Sequence, residues 1–328
     1  MVLGAGGEDL HGGRRIPPAG DHPAETVRAG FVNVPTVRER YGAIQGIARH
    51  AQRIELGRDA GGRPGMRTVL HARFQGDPDA QPLMLLHGLF GSATNWGMVA
   101  GRLKSDYRAI VPDLRNHGQS PHDIDCSYPA MVDDLLGLMD AQGIVKAILV
   151  GHSMGGKVAM HCALTRPDRV LGLAVVDMSP VRYTHDFESV LNGFRAVELA
   201  AIRSRADADR QMAAHVPGSG VRAFLLQNLV KTPAGWQWRL NLDALSDAQA
   251  EITGYPGHPP GVHFDGPTSF IYGALSDYVT PEYEPVIRRL FPTATLCPVA
   301  DAGHWVYADK PHGFMACLDA FLARAIRA

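Results

Sequence analysis

The sequence is short of cysteine, short of net charge and short of long apolar runs, and each shortage removes a class of protein. Four cysteines occur in 328 residues, Cys126, Cys162, Cys297 and Cys317, and none forms a C-x-x-C pair. A chain of this length needs no covalent staples, so they read as reduced thiols of a cytoplasmic protein. The formal net charge is −1, which gives no basic face for nucleic acid. No apolar stretch approaches the ~20 residues of a membrane span. The 15 histidines are scattered and follow no metal-ligand spacing such as H-E-x-x-H, so no metal is expected. The opening M-V-L-G-A-G-G-E-D-L lacks the basic start and apolar block of a secretory signal, and Glu8, Asp9, Asp21 and Glu25 argue against a transit peptide.

What is present is organised in two parts. Residues 1–65 are rich in Gly, Arg, Pro and His and poor in apolar runs. Such a composition buries too little surface to offset ordering, so it reads as a loosely ordered extension. From 66 to 328 short apolar runs alternate with helical patterns. P-L-M-L-L-H-G, Y-R-A-I-V-P-D, A-I-L-V-G-H-S, L-G-L-A-V-V-D, T-S-F-I-Y-G and A-T-L-C-P-V are apolar without alternation, as strands covered on both faces are. The helical stretches between them imply an α/β fold, a doubly wound and mostly parallel sheet. The rhythm breaks at about 181–260, where the pattern is helical and holds Trp236 and Trp238. That segment reads as a helical cap inserted between two strands.

Ligands of open parallel sheets bind beyond the carboxyl ends of the strands, so the residues after each strand carry the argument. One strand runs into Gly151-His152-Ser153-Met154-Gly155 and then a helix. A G-x-S-x-G in that setting is a tight turn that lifts a serine hydroxyl above the sheet edge. The helix start aims amides at the same spot, so Ser153 reads as a nucleophile and the Met154 amide as an oxyanion donor. After an earlier strand, His87-Gly88-Leu89-Phe90-Gly91-Ser92 offers the Leu89 amide as the second donor, with His87 as a loop support. Asp301-Ala302-Gly303-His304-Trp305 follows the last strand, and His304 is the expected base. For the acid, two aspartates follow strands: Asp277 in G-A-L-S-D-Y and Asp177 in V-D-M-S-P. Asp277 is preferred because its strand immediately precedes that of His304. Asp177 is the alternative and Asp243 a distant third.

The motifs H-G-L-F-G-S, D-L-R-N-H-G-Q-S, G-H-S-M-G-G-K, V-D-M-S-P and G-H-W-V-Y-A-D-K-P, in that order, resemble the α/β-hydrolase family. Within it they are most similar to the small YbfF-type bacterial carboxylesterases and their mitochondrial relatives. The resemblance runs from about Met66 to the end. It implies hydrolysis of an ester or thioester through an acyl-serine, with no cofactor. It carries Ser153, His304, Leu89 and Met154 over to the roles already read, and leaves the acid open between Asp277 and Asp177. It also brings Ser276 beside the acid, as a hydrogen-bond support.

The function expected is therefore a serine hydrolase of small-molecule carboxylic esters with short to medium acyl chains. An acyl-CoA thioesterase, lactonase, carbon–carbon bond hydrolase or perhydrolase would use the same triad. A non-catalytic ligand-binding protein of the same fold would lack a base or an acid, and neither is missing. Phe90, Phe187, Phe224, Trp236 and Trp238 are candidates for an acyl pocket. Lys157, early in the elbow helix, reads as a surface lysine or as a contact for a coenzyme A phosphate.

Overall fold

The apolar runs become strands buried on both sides. The strand β2 (Gln81–Leu86) is buried at every position, as is β4 (Ala147–His152). A computed structural model of the chain describes residues 69–327; the extension 1–65 and the expected strand start at Met66 lie outside them. The remaining strands are β1 (Ala72–Gln75), β3 (Tyr107–Pro112), β5 (Val170–Val176), β6 (Leu229–Thr232), β7 (Gly235–Trp238), β8 (Thr268–Gly273) and β9 (Ala294–Val299). Seven of them form one sheet in the order β1-β3-β2-β4-β5-β8-β9, parallel except for β1, which runs antiparallel to β3.

Alternate residues of each strand feed opposite layers, as the pleat requires. In β2, Met84 and Leu86 join the core under the helices Tyr128–Ala141 and Met154–Thr165. Leu83 and Leu85 join the other core, under Gly97–Leu103 and Pro311–Ala325. Both faces are thereby covered, which is why the strands read as continuous apolar runs rather than alternating ones. The chain passes from β2 outward to β3 and then returns to β4 on the other side of β2. That reversal is the switch point of a doubly wound sheet, where a crevice opens between carboxyl ends. The residues at it are the turn after β2 and the turn after β4.

Between β5 and β8 the chain leaves the sheet and makes five short helices, Glu188–Arg195, Arg205–Met212, Ser219–Leu225, Leu242–Asp247 and Gln249–Thr253. A purely helical insertion was expected there, and this is corrected by the antiparallel hairpin β6–β7. Its turn closes at Gly235, whose φ of 119° only glycine adopts readily. Trp236 and Trp238 are two apart on β7 and share one face, a period-2 signal too short to stand out in the sequence. Among the described residues no helix is long and apolar enough to cross a membrane.

The cysteines depart from expectation. Cys126 and Cys162 are buried free thiols, but Cys297 on β9 and Cys317 on the C-terminal helix Pro311–Ala325 form a disulfide. The helix lies against β9 so that their Cα atoms are 6.2 Å apart, a proximity invisible in a spacing of 20 residues. The inference of a reducing compartment from four free thiols loses its basis. A bridge closing a loop of that size contributes about 3 kcal/mol through the unfolded chain. Reduction with a phosphine, or Cys317→Ser, is expected to lower the urea midpoint accordingly; identical midpoints with and without reductant would refute the contribution.

Candidate active site

The site is built on close backbone approach at the turn after β4. Ser153 has φ 53° and ψ −120°, a strained conformation for a residue with a side chain, and the helix Met154–Thr165 starts at the next residue. Glycine makes the turn possible. A Cβ on Gly151 would stand 2.2 Å from the Gly155 carbonyl oxygen, and a Cβ on Gly155 would stand 2.5 Å from that of His87. No side chain fits either gap, so the helix can approach both β2 and β4 only with glycine at these two positions. The Ser153 amide donates to Val176 O at 3.0 Å, tying the elbow to the end of β5.

The turn after β2 passes directly over the serine. A Cβ on Gly88 would lie 3.1 Å from Ser153 Cβ. Among the described residues the Leu89 amide has no acceptor within the chain, while its neighbour Phe90 donates to His117 Nε2 at 3.1 Å. His117 Nδ1 donates in turn to Arg115 O. His87 donates from Nδ1 to Gly88 O and accepts the Leu114 amide at Nε2, 3.0 Å away. The D-L-R-N-H-G-Q-S motif is thus scaffold for the turn after β2, completed by Asp113, whose Oδ1 accepts the Ala93 amide at 2.7 Å. From the cap, Asn228 Nδ2 donates to Phe90 O at 2.8 Å.

His304 lies in the loop after β9, and its Nδ1 bonds Asp177 Oδ2 at 2.7 Å. The preference for Asp277 is corrected here. Asp177 is fully buried, with its other oxygen accepting the Gly273 amide at 3.0 Å and Ser276 Oγ bonding Oδ2 at 2.5 Å. Asp277 is exposed and no bond joins it to His304. The reason lies in two turns. Asp177 sits at φ 50° just after β5, which sends its carboxylate across the end of β8 toward the β9 loop. The turn closed by Ser276 N and Gly273 O faces Ser276 inward and leaves Asp277 to solvent. Ser276 therefore supports Asp177, not its sequence neighbour. Asp243 lies in the cap helix Leu242–Asp247.

Four residues went unnoticed in the sequence. Tyr278 stacks on the His304 ring, with centroids 4.2 Å apart and planes at 25°. Its carbonyl accepts hydrogen bonds from Ser179 Oγ and Tyr183 Oη, both 2.7 Å long. The serine of V-D-M-S-P thus fixes the tyrosine that covers the imidazole. His152, between the elbow glycine and the serine, donates from Nε2 to His304 O at 2.9 Å. The only sequence cue was position: residues flanking a strained turn tend to hold it.

In front of Ser153 and His304 lies a cavity of about 170 Å³ with an apolar wall. Phe90, Phe187 and Phe224 line it, together with Val221 and Trp305. Trp236 and Trp238 do not; Trp238 packs edge-on against Phe194 within the cap. Lys157 is neither on the surface nor open to a phosphate. It is buried, and Nζ donates to the carbonyls of Ile252, Thr253 and Gly254, the last two at 2.8 and 2.6 Å. It sits 4.9 Å over the Tyr183 ring. Burial, with the charge of Arg182, pulls its pKa down to about 7. Among the described residues no cluster could hold a metal ion.

A family profile described as alpha/beta hydrolase fold matches residues 81–311. The chain is 44% identical over 256 residues to the sn-1-specific diacylglycerol lipase ABHD11 of Mus musculus, covering 76% of this chain and 83% of the relative. It is 37% identical to esterase YbfF of Escherichia coli K12, over 76% of this chain and 95% of that one. A solved structure titled marine microorganism esterase superposes with a TM-score of 0.74 at 32% identity, covering 77% of this chain and 99% of that chain.

The buried histidines predict acid sensitivity. Burial holds the pKa of His117 down at about 3 and that of His161 at about 4, and it lowers His87 and His152 as well. The unfolded chain takes up these protons below about pH 6.5, while the folded chain does not. Their contribution is therefore present above pH 6.5 and lost progressively as pH falls toward the folded values. His117 alone costs about 2 kcal/mol of stability at pH 5, each pKa unit being about 1.4 kcal/mol. The melting temperature should be flat above pH 7 and fall steeply from pH 6.5 to 5; a profile unchanged across that range would refute the neutral buried state.

Proposed function

The chain belongs to the α/β-hydrolase family, and from that premise we propose a carboxylesterase-type serine hydrolase in which Ser153, His304 and Asp177 act as the triad on short-chain esters. The observation that carries this reading is the 2.7 Å bond between His304 Nδ1 and the buried Asp177, beside Ser153 in one apolar cavity.

In the proposed cycle Ser153 Oγ attacks the ester carbonyl and passes its proton to Nε2 of His304. Asp177 keeps Nδ1 protonated and balances the imidazolium without taking the proton itself. The oxyanion is met by the Leu89 and Met154 amides, a pair worth on the order of 10²–10³ in rate per donor. His304 then protonates the leaving alcohol, and water repeats the sequence to free the acid and the serine. The Tyr278 face against the imidazole restricts its rotation about the bond to Asp177.

The acyl group would occupy the cavity walled by Phe90, Phe187, Val221 and Phe224. An apolar cavity of about 170 Å³ favours short acyl chains. The relatives include a named diacylglycerol lipase as well as a named esterase; the narrow cavity favours the esterase reading. A coenzyme A thioester gains no support from Lys157, because its three donors are spent on cap carbonyls.

Ser153→Ala should abolish hydrolysis of a short-chain chromogenic ester above the uncatalysed rate. Asp177→Asn should lower kcat by ~10²–10⁴ while Asp277→Asn leaves it nearly unchanged; the reverse ranking would overturn the assignment of the acid. Across a series of esters differing in acyl length, kcat/KM should fall as the acyl chain outgrows the cavity, and Phe224→Ala should extend the accepted length. A wild type that prefers long acyl chains would contradict the short-chain reading.

A further inference from the structure

The polar side chains around the cavity in front of Ser153 and His304 are nearly all committed. His304 is bonded to Asp177, Asn95 accepts the Ser92 amide and donates to Gln227, and the Tyr278 hydroxyl is 3.1 Å from His185 Nε2. Trp305 is only half-buried, so water meets its indole N–H. Two lining residues are buried and still keep one polar atom each without a hydrogen-bond partner among the described residues: His152 at Nδ1 and Tyr307 at Oη. Neither atom is sealed in, unlike the unpaired Nε1 of Trp96, on which Tyr307 stacks. An open, unpaired polar atom in an apolar-walled cavity sets which ligands are accepted, because covering it without a partner is costly.

The surroundings fix the chemistry of each atom. His152 Nε2 bonds the His304 carbonyl oxygen, which only accepts, so Nε2 carries the ring proton. Burial lowers the pKa of His152 well below its ordinary value, and the ring stays neutral. Nδ1 is therefore an acceptor. A glycine leaves it uncovered: a Cβ on Gly88 would stand 3.0 Å from Nδ1 and 3.1 Å from Ser153 Cβ. Burial raises the pKa of Tyr307, so its hydroxyl keeps its proton and donates. The Tyr307 and His152 rings are in contact, 5.2 Å apart and nearly perpendicular. A carboxylate or phosphate has only lone pairs to offer Nδ1. Any charged group would also lose its water against Phe90, Phe187 and Phe224. A methyl group leaves both atoms unpaired. A hydroxyl group donates to one, accepts from the other, carries no charge and has the size of a water molecule.

We propose that His152 and Tyr307 recognise a hydroxyl group on the alcohol half of the substrate, so that the preferred substrates are short-acyl esters of a diol or polyol, with the hydroxyl on the carbon next to the esterified one. This rests on the triad reading above. In that cycle His304 protonates the leaving alcohol, and His152 is the ring beside it, with centroids 4.6 Å apart. The acyl half keeps the phenylalanine wall. His152 and Tyr307 bind the alcohol and take no part in bond breaking.

The test compares kcat/KM for 2-hydroxyethyl butyrate and propyl butyrate, which differ by a hydroxyl against a methyl. Each value is divided by the rate of hydroxide-catalysed hydrolysis of the same ester, which removes the difference in leaving-group reactivity. The hydroxyethyl ester should be favoured about tenfold. 2-Fluoroethyl butyrate, which cannot donate to Nδ1, should lose most of that preference. Tyr307→Phe keeps the ring against Trp96 and should lower the hydroxyethyl-to-propyl ratio about threefold. A ratio near one in the wild type would overturn the proposal, and so would a ratio that Tyr307→Phe leaves unchanged. A fluoroethyl ester as good as the hydroxyethyl ester would remove His152 as the acceptor and overturn it too. Hydrolysis of none of the three esters, or hydrolysis that survives Ser153→Ala, would instead sink the triad reading and the proposal with it.

Discussion

The close approach of Gly155 to the end of β2 is the constraint on which the rest of the molecule depends. With no side chain at Gly151 or Gly155, the elbow helix can begin against two adjacent strands at once, and Ser153 is carried into φ 53° with no room to relax. Strain of about 1–3 kcal/mol at such a residue persists only where the surroundings over-determine it. Here they do so from three sides: Val176 O holds the serine amide, the His87–Leu89 turn lies above it, and His152 reaches forward to the His304 carbonyl. The last contact means that one turn fixes both the serine and the backbone of His304.

A second consequence is that cap and sheet are one mechanical unit. Lys157, one turn into the elbow helix, takes three carbonyls at the end of the cap helix Gln249–Thr253, where the helix dipole is negative. Tyr128 Oη donates to one of the same carbonyls, that of Ile252, at 2.6 Å. At the other edge Asn228 reaches from the cap to Phe90 O in the turn after β2. A buried ammonium with carbonyls but no carboxylate around it is an expensive group to keep. Its presence beside the elbow indicates that the cap is held in register with the serine rather than left to close freely.

The strands, the tight turn at Ser153 and the places of His304 and of the turn after β2 were legible because each is a local pattern: an apolar run, a glycine-flanked turn, a residue placed just after a strand. Asp177 was legible only as an alternative, because the choice depends on which of two strand-end carboxylates points across β8. That is set by a positive φ at Asp177 and by the inward turn of Ser276, neither of which leaves a mark in composition. Tyr278 was missed and Lys157 misjudged for a related reason. Tyr278 follows an exposed aspartate, and Lys157 follows two glycines in a helix start, so both look like surface positions until the cap is folded over them. The disulfide joins a strand to a helix, and no spacing rule reaches across such a pair.

The position of Asp177 also explains why V-D-M-S-P is a unit. Asp177 faces His304, while Ser179, two residues on, holds the carbonyl of Tyr278, whose ring covers that same imidazole. The imidazole is thus gripped at Nδ1 by a carboxylate and on its face by a tyrosine, and both grips are anchored in one five-residue turn. Had Asp277 been the partner, the carboxylate and the tyrosine would have been adjacent in sequence on a loop open to solvent, and one loop movement would have released both. Placing the carboxylate at the end of β5, an interior strand between β4 and β8, keeps it fully buried. There a charge-assisted bond to the imidazole is strengthened by low dielectric, and the Gly273 amide and Ser276 hydroxyl meet the cost of burying the charge.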